Sequence, residues 1–405
     1  MRLTIPTLIA TTSVTALLMT PALAQDPVIS GGENRPDVEP AFAEQTNAPE
    51  QITEAEIVQN TVAEGLVHPW GITVLPGDAG YLVTERPGSL RHISVDGEVS
   101  DPIAGVPEVH AVEQGGLLDI ALAPDFEDSR VIYLTYAKPM DGDGMSATAA
   151  ARAVLSEDMM SLTEVSDIFV QTPASPNPMH YGSRVVPTAD GTVFITTGEH
   201  FTEEARQNAQ DPTNSFGVIV RVTADGEPVE GNPFVDSEEG LDVVYSYGHR
   251  NVQSAAMDAE GQLWAIEHGP AGGDELNLIQ PGGNYGWPIA SYGVNYDGSE
   301  VTEGRSAHLP EFVEPRYYWD PVIAPGGMEF YDGEMFVDWQ GDVLVGGLVA
   351  ASLVRLDLEG DTVMGEEYLA DGVGRVRDVA VDHDGSILFI TDFEDGALIR
   401  LSLAE

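Results

Sequence analysis

The chain has 405 residues, 42% of them hydrophobic, so it can form one large domain or two ordinary ones with a sizeable core. Its formal net charge is −50 at pH 7, which argues against nucleic acid and anionic membranes as partners. It has no cysteine, which excludes a disulfide framework and a thiolate metal site.

The N-terminal region is predicted to direct export and then to remain unstructured. Residues 1–24 combine a positive start, an apolar run and the small-residue pattern ALA at residues 22–24, as a secretory signal peptide does. The apolar run is too short and too interrupted for a membrane span. Residues 25–51 are rich in Pro, Gly, Glu and Asn, and we interpret them as a flexible acidic leader. We therefore expect a periplasmic, or otherwise exported, protein whose folded domain occupies residues 52–405.

Beyond residue 52 the predicted elements are short antiparallel strands. An apolar strand, a turn with Asp or Gly, and a second apolar strand recur six times, starting at Gly71, Leu118, Arg184, Ser254, Gly327 and Arg377. This spacing predicts an all-β fold, a six-bladed β-propeller of four-stranded antiparallel blades. The alternative, a β-sandwich or two smaller β domains, does not explain a six-fold recurrence.

The two ends of this domain are predicted to meet. Residues 55–66 precede the first repeat, and residues 396–403 end the last one. Pairing of these two segments would close the propeller and remove an exposed sheet edge.

A hairpin in the middle of the domain contains the first candidate for chemistry. His180 precedes one strand of the third repeat, and Glu199 follows the next strand. Both ends of a hairpin meet on one rim, where a carboxylate can fix the tautomer of an imidazole and raise its basicity, as a general base requires. The alternative is a histidine that is only a hydrogen-bonded surface residue.

Four arginines stand near glycines or at the starts of repeats: Arg184, Arg250, Arg375 and Arg377. The alternating spacing of the last two places both side chains on one face of a strand. Arginines that converge on a propeller channel would suit an anionic ligand with carboxylates or phosphates. The alternative is pairing with the protein's own carboxylates. No GxGxxG follows a strand and no P-loop motif occurs, so nucleotide cofactors lack support.

Residues 245–287 contain an unusual density of polar and glycine residues. Within them, Gly269 and Pro270 lie among acidic residues and could present carbonyl oxygens to a hard cation such as Ca²⁺, although an acidic surface turn is an equal alternative. Earlier in the chain, Gln114 precedes two glycines that would let a flat ligand approach the backbone, unless this segment is a plain turn.

Eight motifs occur in order across residues 52–403: EQGGLLDIALAPDF, HYGSR, TTGE, GHRN, EHGPAGGDELNLI, GGNYGWP, IAPGGMEFY and GRVRDV. Together they resemble the soluble pyrroloquinoline-quinone (PQQ) dependent sugar dehydrogenases of the glucose/sorbosone dehydrogenase-like family, and most closely the aldose sugar dehydrogenase branch. The resemblance implies oxidation of aldose sugars at C1 to lactones, with PQQ and Ca²⁺ as cofactors.

The resemblance also implies a role for individual residues. His180 would be the general base, Glu199 would orient it, and Arg250 would stabilise charge at the C5 oxygen of the quinone. The implied cofactor contacts are Gln114, Arg250, Asn251, His268, Asp274, Arg375 and Arg377. The implied calcium ligands are the main-chain oxygens of Gly269 and Pro270.

Two positions depart from the better-known glucose enzymes of this family. His268 stands where those enzymes have glutamine, and Val349 stands near a lysine that holds a cofactor carboxylate in them. The loss of that lysine predicts a weaker affinity for PQQ.

Two other functions remain as alternatives: a propeller lactonase or other metal hydrolase, and a non-catalytic propeller that binds sugar or a partner protein. The sequence does not identify the electron acceptor. Mutual repulsion between such acidic surfaces predicts a monomer.

Overall fold

The computed structural model describes residues 26–29, 31–302, 305–370 and 372–404. The signal peptide predicted at residues 1–24 lies outside the described residues. In the part of the chain that is described, no helix is both long and apolar enough to cross a membrane.

The described chain is built of 23 strands. The first strand is β1 (Ile57–Leu66), and blade one follows with β2 (Pro69–Val74), β3 (Tyr81–Glu85) and β4 (Ser89–Ile93). Blade two contains β5 (Leu117–Leu122), β6 (Val131–Pro139), β7 (Ser146–Leu155) and β8 (Leu162–Val170), and blade three contains β9 (Val185–Pro187), β10 (Thr192–Thr196), β11 (Val218–Thr223) and β12 (Val244–Tyr247). Blade four contains β13 (Val252–Met257), β14 (Leu263–Glu267), β15 (Asp274–Leu278) and β16 (Tyr317–Trp319), and blade five contains β17 (Pro325–Phe330), β18 (Val343–Gly347), β19 (Ser352–Glu359) and β20 (Thr362–Leu369). Blade six contains β21 (Val376–Val381), β22 (Ile387–Thr391) and β23 (Gly396–Leu403). Helical turns within the described residues are short: α1 (Phe126–Ser129) and two 3₁₀ turns, Ala205–Gln210 and Val337–Trp339.

These strands form six antiparallel sheets, and the predicted six-bladed β-propeller is confirmed. Five sheets have four regular strands. In blade one an irregular segment takes the place of a fourth strand. It runs alongside β4 and is paired with it by hydrogen bonds from Ser100 N to His92 O (2.8 Å) and from Ile103 N to Leu90 O (2.9 Å).

The predicted closure is also confirmed. β1 pairs antiparallel with β23, from Ile57 opposite Leu403 to Leu66 opposite Gly396. Blade six therefore takes its outer strand from the start of the domain, and no open sheet edge remains between the first and last blades.

The core lies between the blades. Each of the six blade interfaces contains its own cluster of buried apolar side chains, such as Leu82 against Leu134 between blades one and two and Val83 against Leu388 between blades six and one. Because both faces of a blade are covered, strands such as β10 and β14 are buried at every position. Burial on both faces makes the blade ends rigid supports for the loops that follow them.

The described part of the acidic leader packs against blades four and five, which differs from the expectation of a flexible segment. Gln45 is fully buried and donates to the carbonyl of Pro315 at 2.9 Å. Ala48 is buried and its N–H donates to the hydroxyl of Tyr317 at 2.9 Å. Composition alone missed these contacts because they depend on partners about 270 residues away in sequence.

Candidate active site

Loops from all six blades surround a cavity of about 340 Å³ at one end of the propeller. Its walls contain seven of the candidate residues: Gln114, His180, Arg250, Asn251, His268, Arg375 and Arg377. A larger cavity of about 1030 Å³ lies beside the β13–β14 turn, and it contains none of them. The smaller cavity, called the inner cavity below, is therefore the candidate active site.

His180 and Glu199 form a buried pair in the wall of the inner cavity. The Nδ1 atom of His180 lies 2.6 Å from Oε2 of Glu199, and the two side chains are 5% and 0% exposed. Their loops touch at Gly198, where a Cβ atom would lie 2.1 Å from the carbonyl oxygen of His180. Glycine at position 198 is therefore what lets the carboxylate reach the imidazole.

Further contacts hold each member of the pair. The backbone N–H of His180, a residue with φ of 52°, donates to Oε1 of Gln114 at 2.8 Å. Glu199 accepts from the backbone N–H of Phe201 at 2.8 Å and from Nε1 of Trp287 at 3.2 Å. The geometry of the pair is therefore fixed by neighbouring loops before any ligand arrives.

The environment of the pair favours a neutral imidazole beside an ionised carboxylate. Burial lowers the pKa of His180, and the nearby charge of Arg250 adds to this, while Glu199 opposes both. Burial alone would raise the pKa of Glu199, but the contacts with His180, Arg250 and the Phe201 N–H outweigh it and lower that pKa. A carboxylate only accepts, so Nδ1 of His180 has the proton and Nε2 has a free lone pair.

Arg250 brings a positive charge that no carboxylate neutralises among the described residues. Its Nη1 donates to the carbonyl oxygens of Gly269 (2.7 Å) and His268 (3.1 Å), and its Nη2 contacts the Tyr296 hydroxyl at 3.3 Å. The guanidinium lies 5.2 Å from the ring of Trp287, and its Nε is buried without a partner in the described chain. Such a charge is available to an anionic ligand.

Arg375 and Arg377 reach the same cavity from blade six, as their alternating spacing predicted. Both donate to Oδ2 of Asp392, at 3.3 Å and 2.7 Å, and Arg377 also donates to Gln253 at 2.9 Å. Together with Arg86 and Arg250, four arginines line the inner cavity against one carboxylate. This part of a strongly acidic protein is therefore locally positive.

Arg184 has a different role from the other arginines. Its guanidinium donates to Asp119 at 2.7 Å and to Asp378 at 3.0 Å, and all three side chains are buried. It does not line the inner cavity. For this residue the alternative, pairing with the protein's own carboxylates, describes the structure.

Asp274 and His268 fix loops around the cavity. The carboxylate of Asp274 accepts from the backbone N–H groups of Gly269 and Ala324, both at 2.8 Å, and burial raises its pKa to about 7. Asp274 does not line the inner cavity. His268 does line it, with Nε2 2.7 Å from the carbonyl of Pro325, and burial lowers its pKa to about 3. A neutral His268 donating to Pro325 follows from this environment.

The main-chain oxygens of Gly269 and Pro270 give a cation only part of a ligand shell. Calcium takes about six to eight oxygen ligands. Gly269 O already accepts from Arg250 at 2.7 Å, and the described residues contain no group of three or more His, Asp or Glu side chains arranged to hold a metal. A bound calcium would need further oxygens from its ligand and from water.

Sequence reasoning missed several residues of the inner cavity: Trp70, Arg86, Phe201, Gln253, Tyr296 and Asp392. A signal existed for Asp392, because an acidic residue lies at the end of the second strand of a repeat, or within three residues after it, in four repeats: Glu85, Glu199, Glu267 and Asp392. Val349 is 61% exposed, and its neighbour Leu348 lines the cavity, so the weaker affinity for PQQ expected from the missing lysine stays a prediction.

Comparison with known proteins finds one consistent group. The family model described as Glucose / Sorbosone dehydrogenase matches residues 66–400. The aldose sugar dehydrogenase YliI of Escherichia coli (strain K12) is 38% identical over 350 residues, which cover 86% of this chain and 93% of that protein. The crystal structure of the soluble aldose sugar dehydrogenase from Escherichia coli in the apo-form is 37% identical with a TM-score of 0.83, covering 86% of this chain and all of that one. The PQQ-bound aldose sugar dehydrogenase from Streptomyces coelicolor is 29% identical with a TM-score of 0.70, covering 87% of this chain and all of that one.

Proposed function

The chain belongs to the glucose/sorbosone dehydrogenase family, and from that membership we propose that it oxidises aldose sugars at C1 to the corresponding lactones with PQQ as cofactor. The observation that supports this most is a neutral His180, oriented by Glu199, in the wall of the inner cavity. That wall is positively charged, because it contains four arginines and one carboxylate. A PQQ-bound relative supports the choice of cofactor.

The inner cavity suits a flat molecule with several carboxylates, as PQQ is. Arg250, Arg375 and Arg377 offer guanidinium groups, and the buried Nε atoms of Arg250 and Arg377 have no partner among the described residues. Gln114, Asn251 and His268 would add amide and imidazole contacts along its edges. When bound, the quinone would supply the hydride acceptor.

The chain's own residues would move the proton and stabilise charge. Nε2 of His180 would accept the proton of the sugar's anomeric hydroxyl as the hydride leaves C1, so the sugar loses two electrons and two hydrogens and becomes a lactone. Glu199 would stabilise the imidazolium that forms. Arg250 would stabilise the negative charge that develops as the hydride is accepted, which is electrostatic catalysis by a fixed cation.

Calcium is the second cofactor that we propose. Gly269 and Pro270 would provide two carbonyl oxygens, and Asp274 would hold their loop through the Gly269 N–H. Gly269 O already accepts from Arg250 at 2.7 Å and, with two lone pairs, would serve the arginine and the ion together.

Two alternatives have less support. A metal-dependent lactonase would hold its cation with side-chain carboxylates, whereas the described cavity wall has four arginines and one carboxylate. A non-catalytic propeller would have no need of a buried, oriented imidazole with a free Nε2.

Export to the periplasm and a monomeric state are further proposals. The signal peptide pattern at residues 1–24 and the net charge of −50 support them. Mass spectrometry of the secreted protein would show a mature N-terminus at residue 25, and light scattering would show a mass of about one chain. An uncleaved N-terminus or a stable dimer would contradict them.

The central experiment reconstitutes the purified protein with PQQ and Ca²⁺ and follows reduction of an artificial electron acceptor. Glucose and other aldoses should support reduction that depends on both PQQ and sugar. Parallel reactions without PQQ, and with a sugar alcohol in place of the aldose, provide the controls. Absence of cofactor-dependent reduction with every aldose would refute the proposed function.

A further inference from the structure

Residues 34–53 of the leader, called the strap below, follow the last strands of blades four and five. Tyr318 N, in β16, donates to Gln45 O at 2.8 Å, and Gln51 N donates to Glu366 O, in β20, at 2.7 Å. The strap ends before the part of the chain that matches the family model begins. Membership of the family therefore does not by itself explain why this segment is held so firmly.

One buried residue anchors the strap to blade four. Gln45 is fully buried, and its Nε2 donates to Pro315 O at 2.9 Å. The hydroxyl of Tyr292 shares its proton between Gln45 Oε1 (3.1 Å) and Glu314 Oε2 (2.6 Å). The ring of Tyr292 also stacks on Tyr318, with centroids 4.0 Å apart. The strap therefore fixes the position of a tyrosine that is itself buried.

The anchored tyrosine belongs to a segment that packs against residues 269–273, called the GPAGG loop below. A Cβ atom at Gly293 would lie 2.2 Å from Gly272 O, so the two backbones are in direct contact. Ala271 and Val294 exchange two backbone hydrogen bonds, each of 2.9 Å. Because backbone pairing of this kind leaves no slack, a shift of the tyrosine segment would shift the GPAGG loop as well.

A second contact joins the strap to the same loop. The carboxylate of Asp320 accepts from the backbone N–H groups of Asn34 (2.9 Å) and Arg35 (2.7 Å), and from Asn34 Nδ2 (2.7 Å). A Cβ atom at Gly272 would lie 2.5 Å from Asp320 Oδ1. The strap therefore holds a carboxylate against the GPAGG loop, in addition to the tyrosine segment.

We propose that the strap holds the GPAGG loop in its ion-binding conformation, with Gln45 as the positioning residue that sets the affinity for calcium. This rests on the proposed function, in which Gly269 and Pro270 give their carbonyl oxygens to the ion. Two carbonyls serve one ion only while their loop keeps both in one geometry. A loop that samples other conformations binds in proportion to its competent fraction. Gln45 acts through Tyr292 and has no place in the inner cavity.

The first test replaces Gln45 by methionine, which keeps a long side chain but removes the amide. With PQQ at saturation, calorimetry should show calcium affinity about tenfold weaker, as expected if the loop keeps its binding geometry about a tenth of the time. At saturating calcium, kcat should change by less than about twofold, because His180 and Glu199 are untouched. A calcium affinity within about twofold of that of the unaltered protein would overturn the inference.

Two further variants separate positioning from stability. Tyr292→Phe keeps the stacked ring and removes the hydroxyl that reaches Gln45, so calcium affinity should fall in the same direction. The double variant should bind no more weakly than Gln45→Met alone, since both changes break one contact. Thr53→Val is the matched control, because it removes a bond from Thr53 Oγ1 to Glu367 (2.8 Å) at the blade-five end of the strap. It should leave calcium affinity unchanged.

Amide hydrogen exchange of the protein without PQQ or calcium separates this inference from the proposed function. The N–H groups of Ala271 and Gly273 donate to Val294 O (2.9 Å) and Trp319 O (2.8 Å). In Gln45→Met they should exchange at least about tenfold faster, while the amides of β10 keep their rates. This result supports the strap even if the unaltered protein binds no calcium, which would refute the proposed calcium site alone. Unchanged exchange in Gln45→Met, or equal acceleration in Thr53→Val, would overturn the inference.

Discussion

His180 Nδ1 lies 2.6 Å from Glu199 Oε2, although the two residues belong to different loops at the ends of one hairpin. The contact is sealed from water, and the carboxylate is held by two other donors, Phe201 N and Trp287 Nε1. Because Nδ1 has the proton and donates it to the Glu199 carboxylate, the free Nε2 is the atom that can take a proton from a ligand in the inner cavity.

Replacement of His180 by alanine should abolish turnover but spare cofactor binding. Loss of a general base costs about 10²- to 10⁴-fold in kcat. PQQ affinity should change little, because the arginines that would bind it remain in place. Steady-state kinetics and a spectroscopic PQQ titration measure the two effects. His383→Ala, which alters an exposed histidine in the β21–β22 turn, is the control, and unchanged turnover in His180→Ala would remove His180 from the mechanism.

Replacement of Glu199 by glutamine should lower kcat and move the pH dependence to lower pH. The base acts when neutral, so the rate falls as pH drops through the pKa of His180, which burial places below its ordinary value of 6.5. Glu199 raises that pKa, so its neutralisation should move the acidic limb further down. The amide can also donate to Nδ1 and favour the wrong tautomer, at a cost of up to about 10⁴-fold in kcat. The pH profile of kcat measures this shift. An acidic limb that moves to higher pH would contradict the role of Glu199 in raising the pKa of His180.

The six-bladed fold was predictable because it depends on local patterns that recur. Each blade repeats an apolar strand, a turn and a second strand, and β1 could be assigned to the last blade because one strand was missing there. The packing of Gln45 and Ala48 was not predictable, because it depends on Pro315 and Tyr317, which only the closed propeller brings near.

The candidate site was predicted in part for the same reason. The pairing of His180 with Glu199 follows from hairpin geometry, and that expectation matches the position of both side chains. The sequence does not show that Arg184 and Arg377 have different roles, since both occur at starts of repeats and both form ion pairs with carboxylates. Both side chains are buried, and what differs is that Arg377 lines the inner cavity whereas Arg184 does not, which depends on how neighbouring blades are placed.

Replacement of Arg377 by alanine should weaken PQQ binding more than it weakens the fold. Arg377 shares Asp392 with Arg375 and lines the inner cavity, so its loss leaves that carboxylate with one arginine and reduces the positive charge there. A charge-assisted contact of this kind is worth about 1.5–3 kcal/mol, or roughly 10- to 100-fold in affinity. PQQ titrations measure it, with Arg316→Ala, a surface arginine paired with Asp361, as the control. Equal affinities in both variants would argue against Arg377 as a cofactor contact.

Replacement of Arg184 by methionine should destabilise the fold more than it weakens PQQ binding. Asp119 and Asp378 are buried on blades two and six, and without Arg184 they would be left as uncompensated carboxyl groups. Breaking a buried ion pair by removal of one partner costs about 3–5 kcal/mol of folding free energy. Denaturant unfolding, monitored by tryptophan fluorescence, measures the loss. A variant as stable as the unaltered protein would show that the ion pairs of Arg184 with Asp119 and Asp378 do not stabilise the propeller.

Calcium and PQQ should bind together and weakly alone. The protein offers two carbonyl oxygens, one of which already accepts from Arg250, so most of the calcium shell must come from the second ligand and water. Binding linkage is reciprocal, so each ligand should raise the affinity for the other by the same factor, expected at about 100-fold or more. Calorimetric titration of calcium with and without PQQ, and of PQQ with and without calcium, measures both sides of the cycle. Magnesium, which holds its waters tightly and prefers octahedral geometry, is the matched control and should show little linkage. Tight calcium binding by the protein alone would mean that further protein ligands, beyond Gly269 and Pro270, complete the shell.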